Sequence, residues 1–136
     1  MKSKVMIFGT FDIFHPGHRS FLNQAKKYGE SLIAVIARDE TVLEIKKRKP
    51  MNSEKIRLDN VKKNKLADKV ILGSLSDKYA AIKKYRPDVI CLGYDQKFFI
   101  EELESILEKF SLEKTKIIRL KPHKPEIYKS SKLNQK

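Results

Sequence analysis

The sequence has one cysteine, Cys91, so no disulfide can form within the chain. Its setting in Val89-Ile90-Cys91-Leu92 is that of a small core side chain rather than a reactive thiol. No apolar stretch approaches the roughly 20 residues that a membrane-spanning helix needs. Met1-Lys2-Ser3-Lys4 leads straight into an apolar strand without a leader-type apolar region, which predicts a cytoplasmic protein with no membrane contact. Acidic residues are also scarce: 17 Asp and Glu stand against 30 Lys and Arg, a formal charge of +13. Such an excess suits a nucleic-acid binder, whose affinity comes from neutralising many phosphates. The lysines, however, run through every predicted helix, and no helix-turn-helix, zinc-finger or RNP-type pattern organises them. The charge therefore reads as a positive field that captures small anionic substrates, with nucleic acid not the expected partner. At 136 residues the chain fits one domain, 1–136.

The chain is organised around Phe8-Gly9-Thr10-Phe11-Asp12-Ile13-Phe14-His15-Pro16-Gly17-His18. The apolar run Val5-Met6-Ile7-Phe8 before it reads as a buried strand, and Phe21, Leu22, Ala25 and Tyr28 after it are spaced as one helix face. A strand, a glycine turn and a helix start in succession make an anion site, because the first helical N–H groups and the helix dipole point at whatever sits there. Pro16 suits an early helical position, where its missing N–H has no intrahelical partner to lose. Gly9 is expected to turn the backbone off the strand and let a ligand approach without a Cβ in the way. His15 and His18, three residues apart across the helix start, reach the same side. Each can donate to a phosphoryl oxygen, and at an ordinary pKa near ~6.5 each can gain positive charge beside a polyphosphate.

Further strands are read at Ser31–Ala37, introduced by Gly29 as a helix stop, and at Lys69–Gly73, Asp88–Gly93 and Thr115–Leu120, separated by helical patterns. Strand, helix, strand at this spacing is a right-handed crossover, so the strands should be parallel and the sheet doubly wound. Segments just past strand ends line the crevice of such sheets. There the basic run Lys46-Lys47-Arg48-Lys49 is placed to reach ligand phosphates, or else is a solvated cluster. Ser53 is a fitting N-cap for a helix through Glu54, Arg57, Leu58 and Val61. Glu54 and Arg57 have the spacing of a helical ion pair with a structural or interface role. Ser76 or Asp77 is expected to open the helix that Pro87 ends. Asp95, just past the fourth strand, faces the same crevice as the two histidines; it contacts a nucleotide ribose or base, caps the next helix, or does both. Ile100, Leu103, Ile106, Leu107 and Phe110 form a core-facing stripe.

Gly9-Thr10-Phe11-Asp12 followed by His15-Pro16-Gly17-His18 resembles the GTFD…HxGH signature of the cytidylyltransferase-like nucleotidyltransferases, in the strand-to-helix context that makes the motif specific. Over almost the whole chain, including Ala37-Arg38-Asp39, Arg48-Lys49-Pro50, Leu72-Gly73-Ser74 and Gly93-Tyr94-Asp95-Gln96, it looks most like the small archaeal-type FAD synthetases. Glycerol-3-phosphate cytidylyltransferases are related by fold. The resemblance implies a Rossmann-like α/β fold with a five-stranded parallel sheet in the order 3-2-1-4-5 and helices on both faces. It implies transfer of a nucleotidyl group from an NTP to a phosphate-bearing acceptor with loss of pyrophosphate and with Mg²⁺ as cofactor. ATP and FMN are the favoured substrates; CTP and glycerol 3-phosphate are the alternative, and a homodimer is what the family suggests.

Carried over residue by residue, the resemblance puts His15, His18 and Lys46 at the reacting phosphates. Nucleotide contacts are expected from Gly9, Thr10, Phe11, Asp95, Lys124, Ser130 and Ser131; no protein-borne metal ligand is singled out. Residues 121–136, basic on composition, are expected to close over the triphosphate, with Lys129-Ser130-Ser131-Lys132 as the helix start. The family's arginine is missing there, and Lys124, His123 or Lys121 is left to replace it, a point charge instead of a planar fork where lysine does so. Phe11, Phe14, Tyr94, Phe98 and Phe99 either furnish a flat slot for a flavin ring or belong to the core. A reading of a different class is a catalytically silent nucleotide- or RNA-binding module, which the intact histidines argue against.

Overall fold

A computed structural model describes residues 3–77, 79–93 and 100–121. The elements run β1 (Lys4–Gly9), α1 (Pro16–Lys26), β2 (Ser31–Ile36), α2 (Asp39–Lys46), α3 (Glu54–Lys63), β3 (Lys69–Leu72), α4 (Ala80–Tyr85), β4 (Val89–Leu92), α5 (Ile100–Lys109) and β5 (Lys116–Arg119). The five strands form one sheet in the order β3-β2-β1-β4-β5. Every pairing is parallel, with β1 and β2 in register from Lys4 opposite Ser31 to Gly9 opposite Ile36.

The apolar runs are continuous because both faces of the sheet are covered, the usual condition of parallel strands. Alternate residues divide between two cores. Val5 and Ile7, Leu32, Ala34 and Ile36, and Val89 and Cys91 face Leu22 and Ala25 of α1 and Val61 of α3. Met6, Ile33 and Val35, and Ile90 and Leu92 face Ile82 of α4 and Leu103 and Leu107 of α5. This division puts helices on both faces and makes β1, the central strand, the axis from which the Gly9 turn emerges. Cys91 is fully buried, and burial pushes its thiol up to about 12, as suits a packing residue.

Three local expectations need correction. The segment after β2 is not a plain basic run but contains the eight-residue helix α2. Only Val42 of that helix is buried, while Leu43 and Ile45 are exposed, so no apolar stripe announces it. Asp39 and Glu40 in its first turn and Lys46 in its last suit the helix dipole, and Lys47 closes it with a left-handed φ of 62°. The helix after β3 starts at Ala80, three residues beyond Asp77, whose carboxylate and carbonyl instead accept from the Tyr79 and Ala80 amides in the preceding turn. Gly29 has no positive φ; it sits where a Cβ would come within 2.6 Å of Val5, so it serves close packing rather than a left-handed helix stop. Ser53 is the N-cap of α3 as expected, its hydroxyl accepting the Ile56 N–H at 3.4 Å.

Candidate active site

The turn after β1 is shaped by Phe11. Its backbone takes a left-handed φ of 52°, an uncommon state for a bulky residue, while its side chain is only 3% exposed. The ring lies over Gly9, where an added Cβ would be 2.5 Å from it. Gly9 has no positive φ either, so the glycine is required by the Phe11 ring and not by a sharp backbone turn. The same ring meets His18 edge-on, with centroids 5.1 Å apart. Phe11 is therefore core, and its side chain is not part of an open flavin slot. Phe14, half-buried, packs on that core and against His18.

His15 is the N-cap of α1, with extended backbone at φ −144°, and Pro16 follows it as the first helical residue. Its Nδ1 accepts the Gly17 N–H at 3.0 Å. In the neutral ring the proton then sits on Nε2, which leaves a donor on the far edge of the imidazole. His18, one turn on, stacks on His15 with ring centroids 3.9 Å apart and planes 22° from parallel. Burial first, then the neighbouring His15 and the Lys46 ammonium, hold His18 down at about 3, against an ordinary 6.5; a hydrogen bond with the Ile13 backbone opposes this. Burial also lowers His15. Sequence reasoning assigned both rings ordinary values, but the unliganded pair is neutral at pH 7. In that unliganded state it offers N–H donors rather than formal charge.

Lys46, the last residue of α2, stands close enough to act on His18. With Arg48 and Lys49 it edges a shallow depression whose other walls are Thr10, Asp12, Val42 and Pro50. The structure thus brings together His15, His18, Lys46 and the Gly9–Phe11 turn. Asp95, His123, Lys124, Ser130 and Ser131 lie outside the described residues, as do Tyr94, Phe98 and Phe99. Lys121 is described: its amide donates to the Gln24 side chain at 3.1 Å and its carbonyl accepts from it at 2.9 Å, which fastens the exit of β5 to α1.

Two residues bind this site together that the sequence reading left in minor roles. Asp12, 6% exposed, accepts the Met51 and Asn52 amides at 2.8 Å, one on each oxygen, while its own carbonyl accepts from the Asn52 side chain. Arg57 is fully buried and donates to the Thr10 carbonyl, the Asn52 carbonyl and the Asp39 carboxylate. It does not pair with Glu54. Glu54 instead bonds Arg38 and the Asp39 amide, each at 2.9 Å, and Arg38 also donates to the Gly73 carbonyl. The available signal was Arg57 occupying a slot of the helical stripe that continues through Leu58 and Val61, where an apolar residue belongs.

Among the described residues no group of three or more His, Cys, Asp or Glu side chains converges where it could hold a metal ion. Asp12, the carboxylate of the depression, has both oxygens engaged by amides. A divalent ion here would draw its ligands from elsewhere than a cage of these side chains. No helix among the described residues is long and apolar enough to cross a membrane.

A cytidylyltransferase-like family model matches residues 6–136. The FAD synthase of Methanohalophilus mahii is 42% identical over 132 residues, which are 96% of this chain and 91% of that protein. The FAD synthase of Aciduliprofundum boonei is 46% identical over 120 residues, 88% of this chain and 79% of that one. Among solved structures, a lipopolysaccharide core biosynthesis protein from Thermoplasma volcanium aligns with a TM-score of 0.83 at 37% identity, covering 90% of this chain and 99% of its own. A pantoate-beta-alanine ligase from Francisella tularensis, at 14% identity and a TM-score of 0.62, covers 88% of this chain and 59% of its own and shares the fold. The parallel sheet in the order 3-2-1-4-5, the histidine pair at the start of α1 and these matches converge: the chain belongs to the cytidylyltransferase-like family and is a nucleotidyltransferase.

Proposed function

We propose that the chain is an FMN adenylyltransferase, forming FAD and pyrophosphate from ATP and FMN. The observation that carries this is the run of FAD synthases at 42% and 46% identity across nearly the whole chain, combined with a histidine pair that offers N–H donors. An FMN phosphate oxygen attacks the α-phosphorus of ATP in line; the new P–O bond forms as the bond to pyrophosphate breaks. The nucleophile is already anionic, so the protein's work is positioning and the stabilisation of charge that builds on the α-phosphate and the leaving group.

In this reading His15 Nε2–H and the His18 ring donate to the α- and β-phosphates at the start of α1, whose dipole adds to the attraction. Lys46 draws in the acceptor phosphate. The Gly9–Phe11 backbone lines the nucleotide, Asp95 meets the ribose or base, and Lys124, Ser130 and Ser131 close over the triphosphate, with residues 1–136 working as one domain. Mg²⁺ on the substrate phosphates supplies charge neutralisation. The family likeness further supports a cytoplasmic homodimer, whose mass light scattering would read.

The test is pyrophosphate release by purified protein with Mg²⁺, crossing ATP and CTP with FMN and glycerol 3-phosphate, and using His18→Ala as the blank. Release confined to ATP plus FMN, with FAD appearing, is the expected result. Release with CTP plus glycerol 3-phosphate would move the chain to a cytidylyltransferase. Silence in all four mixtures would favour a module that binds nucleotide without turnover.

A further inference from the structure

The cations beside the histidine pair are carried by a segment with little core of its own. From residue 43 to residue 49 every side chain is exposed, and the last buried side chain before that stretch is Val42. Apart from Val42, such a segment is placed chiefly by its ends. At its start Asp39 accepts from Arg57 Nη2 at 2.7 Å, and at its return the Asn52 carbonyl accepts from Arg57 Nε at 3.0 Å. The remaining arm, Nη1, donates to the Thr10 carbonyl at 3.0 Å. One guanidinium, 0% exposed, therefore holds both ends of the 39–52 segment and the turn that follows β1.

We infer that Arg57 is the positioning residue of this site: through Asp39, Asn52 and Thr10 it fixes the distance between Lys46 and the His15–His18 pair without touching substrate. Three acceptors in three directions need the planar fork of arginine. A lysine keeps the charge and the pairing with Asp39 but has one nitrogen to offer, so the return of the segment and the turn lose their tie. The other contacts at the start of the segment, Glu54 with Arg38 and with the Asp39 amide, hold α2 to α3 and leave the turn untouched. Asp12 ties the turn to residues 51 and 52 but does not reach Asp39. Arg57 alone among the described residues joins all three pieces.

The inference rests on the reading of Lys46 as the group that draws in the acceptor, and the test separates the two. Turnover of ATP and FMN would be measured for Arg57→Lys, Lys46→Ala and the double variant. Arg57→Lys is expected to lower kcat about tenfold or more while the KM for ATP changes less than about threefold, and to cost less than about threefold once Lys46 is gone, as coupled residues do. Equal costs in the two backgrounds would overturn the inference and leave Arg57 a general scaffold residue. If Lys46→Ala turns over like the parent, the reading of Lys46 falls, and the His18 ring decides the anchor by NMR titration. A rise in its pKa in Arg57→Lys that vanishes when the same change is made in Lys46→Ala upholds the anchor, because Lys46 has moved away; an equal rise in both backgrounds, or an unchanged titration, overturns it. Should Arg57→Lys fail to fold, Asp39→Ala, which removes the acceptor of one of these ties from the half-exposed side, replaces it in each comparison.

Discussion

The imidazoles of His15 and His18 are stacked 3.9 Å apart, and the first of them spends its Nδ1 on the amide of Gly17. The helix start therefore orients the pair before any ligand arrives. A site whose donors are already aimed has little to reorganise during reaction, which is where preorganised hydrogen bonds gain most of their effect.

His18→Ala removes one of those donors and leaves the sheet untouched. Turnover is expected to fall by about 10²-fold or more, the loss usual for one transition-state donor. A single cooperative transition in thermal denaturation would confirm that the fold survives. Near-normal turnover would remove His18 from the reaction.

The depressed His18 also predicts a pH dependence of stability. A neutral ring held at about 3 in the folded protein and near 6.5 in the unfolded chain means that the unfolded state binds the extra proton. The stabilisation is complete above pH 6.5 and is lost progressively as pH falls toward 3. Urea denaturation between pH 7 and pH 5, above the range in which exposed carboxylates titrate, reads this directly. The parent should lose stability across that window more steeply than His18→Asn; parallel curves would show that the ring is not protected from protonation.

Gly9→Ala should destabilise the protein by about 1 to 3 kcal/mol, the range for overpacking a filled core. The new methyl meets the Phe11 ring, which is buried and cannot swing into water. Phe11→Leu in the same chain should recover part of the loss by emptying that space. Urea midpoints of the single and double variants measure both effects, and a Gly9→Ala variant as stable as the parent would mean that the ring is not where the geometry puts it.

Asp12→Asn keeps the shape of the side chain but turns an NH₂ toward an amide that needs an acceptor. One of the Met51 and Asn52 N–H groups then loses its partner, at a cost of about 1 to 3 kcal/mol for a buried polar group left unsatisfied. Chemical denaturation gives the loss. Titration with Mg²⁺ in the absence of nucleotide should show no difference between parent and variant, since both carboxylate oxygens are already committed to the backbone.

The sheet was legible because its signal is local. Four-residue runs such as Val89–Leu92 are wholly buried and can be little else than strands when bounded by Pro87 and Gly93. The N-cap at Ser53 and the proline at the start of α1 depend on neighbours three residues away and were equally readable. Helix α2 was not, since a helix with a single buried side chain leaves no periodic trace.

The sequence by itself determined the class of the fold, the histidine pair at a strand-to-helix turn and the family to which the chain belongs, because each is written in contiguous residues whose spacing reports local geometry. Tertiary structure alone decided that Gly9 makes room for Phe11, that His18 stays neutral, and that Arg57 binds Asp39, Asn52 and Thr10 rather than Glu54. Each of those outcomes depends on burial or on partners up to 47 positions away, and a side chain's surroundings at that range exist only once the chain has folded.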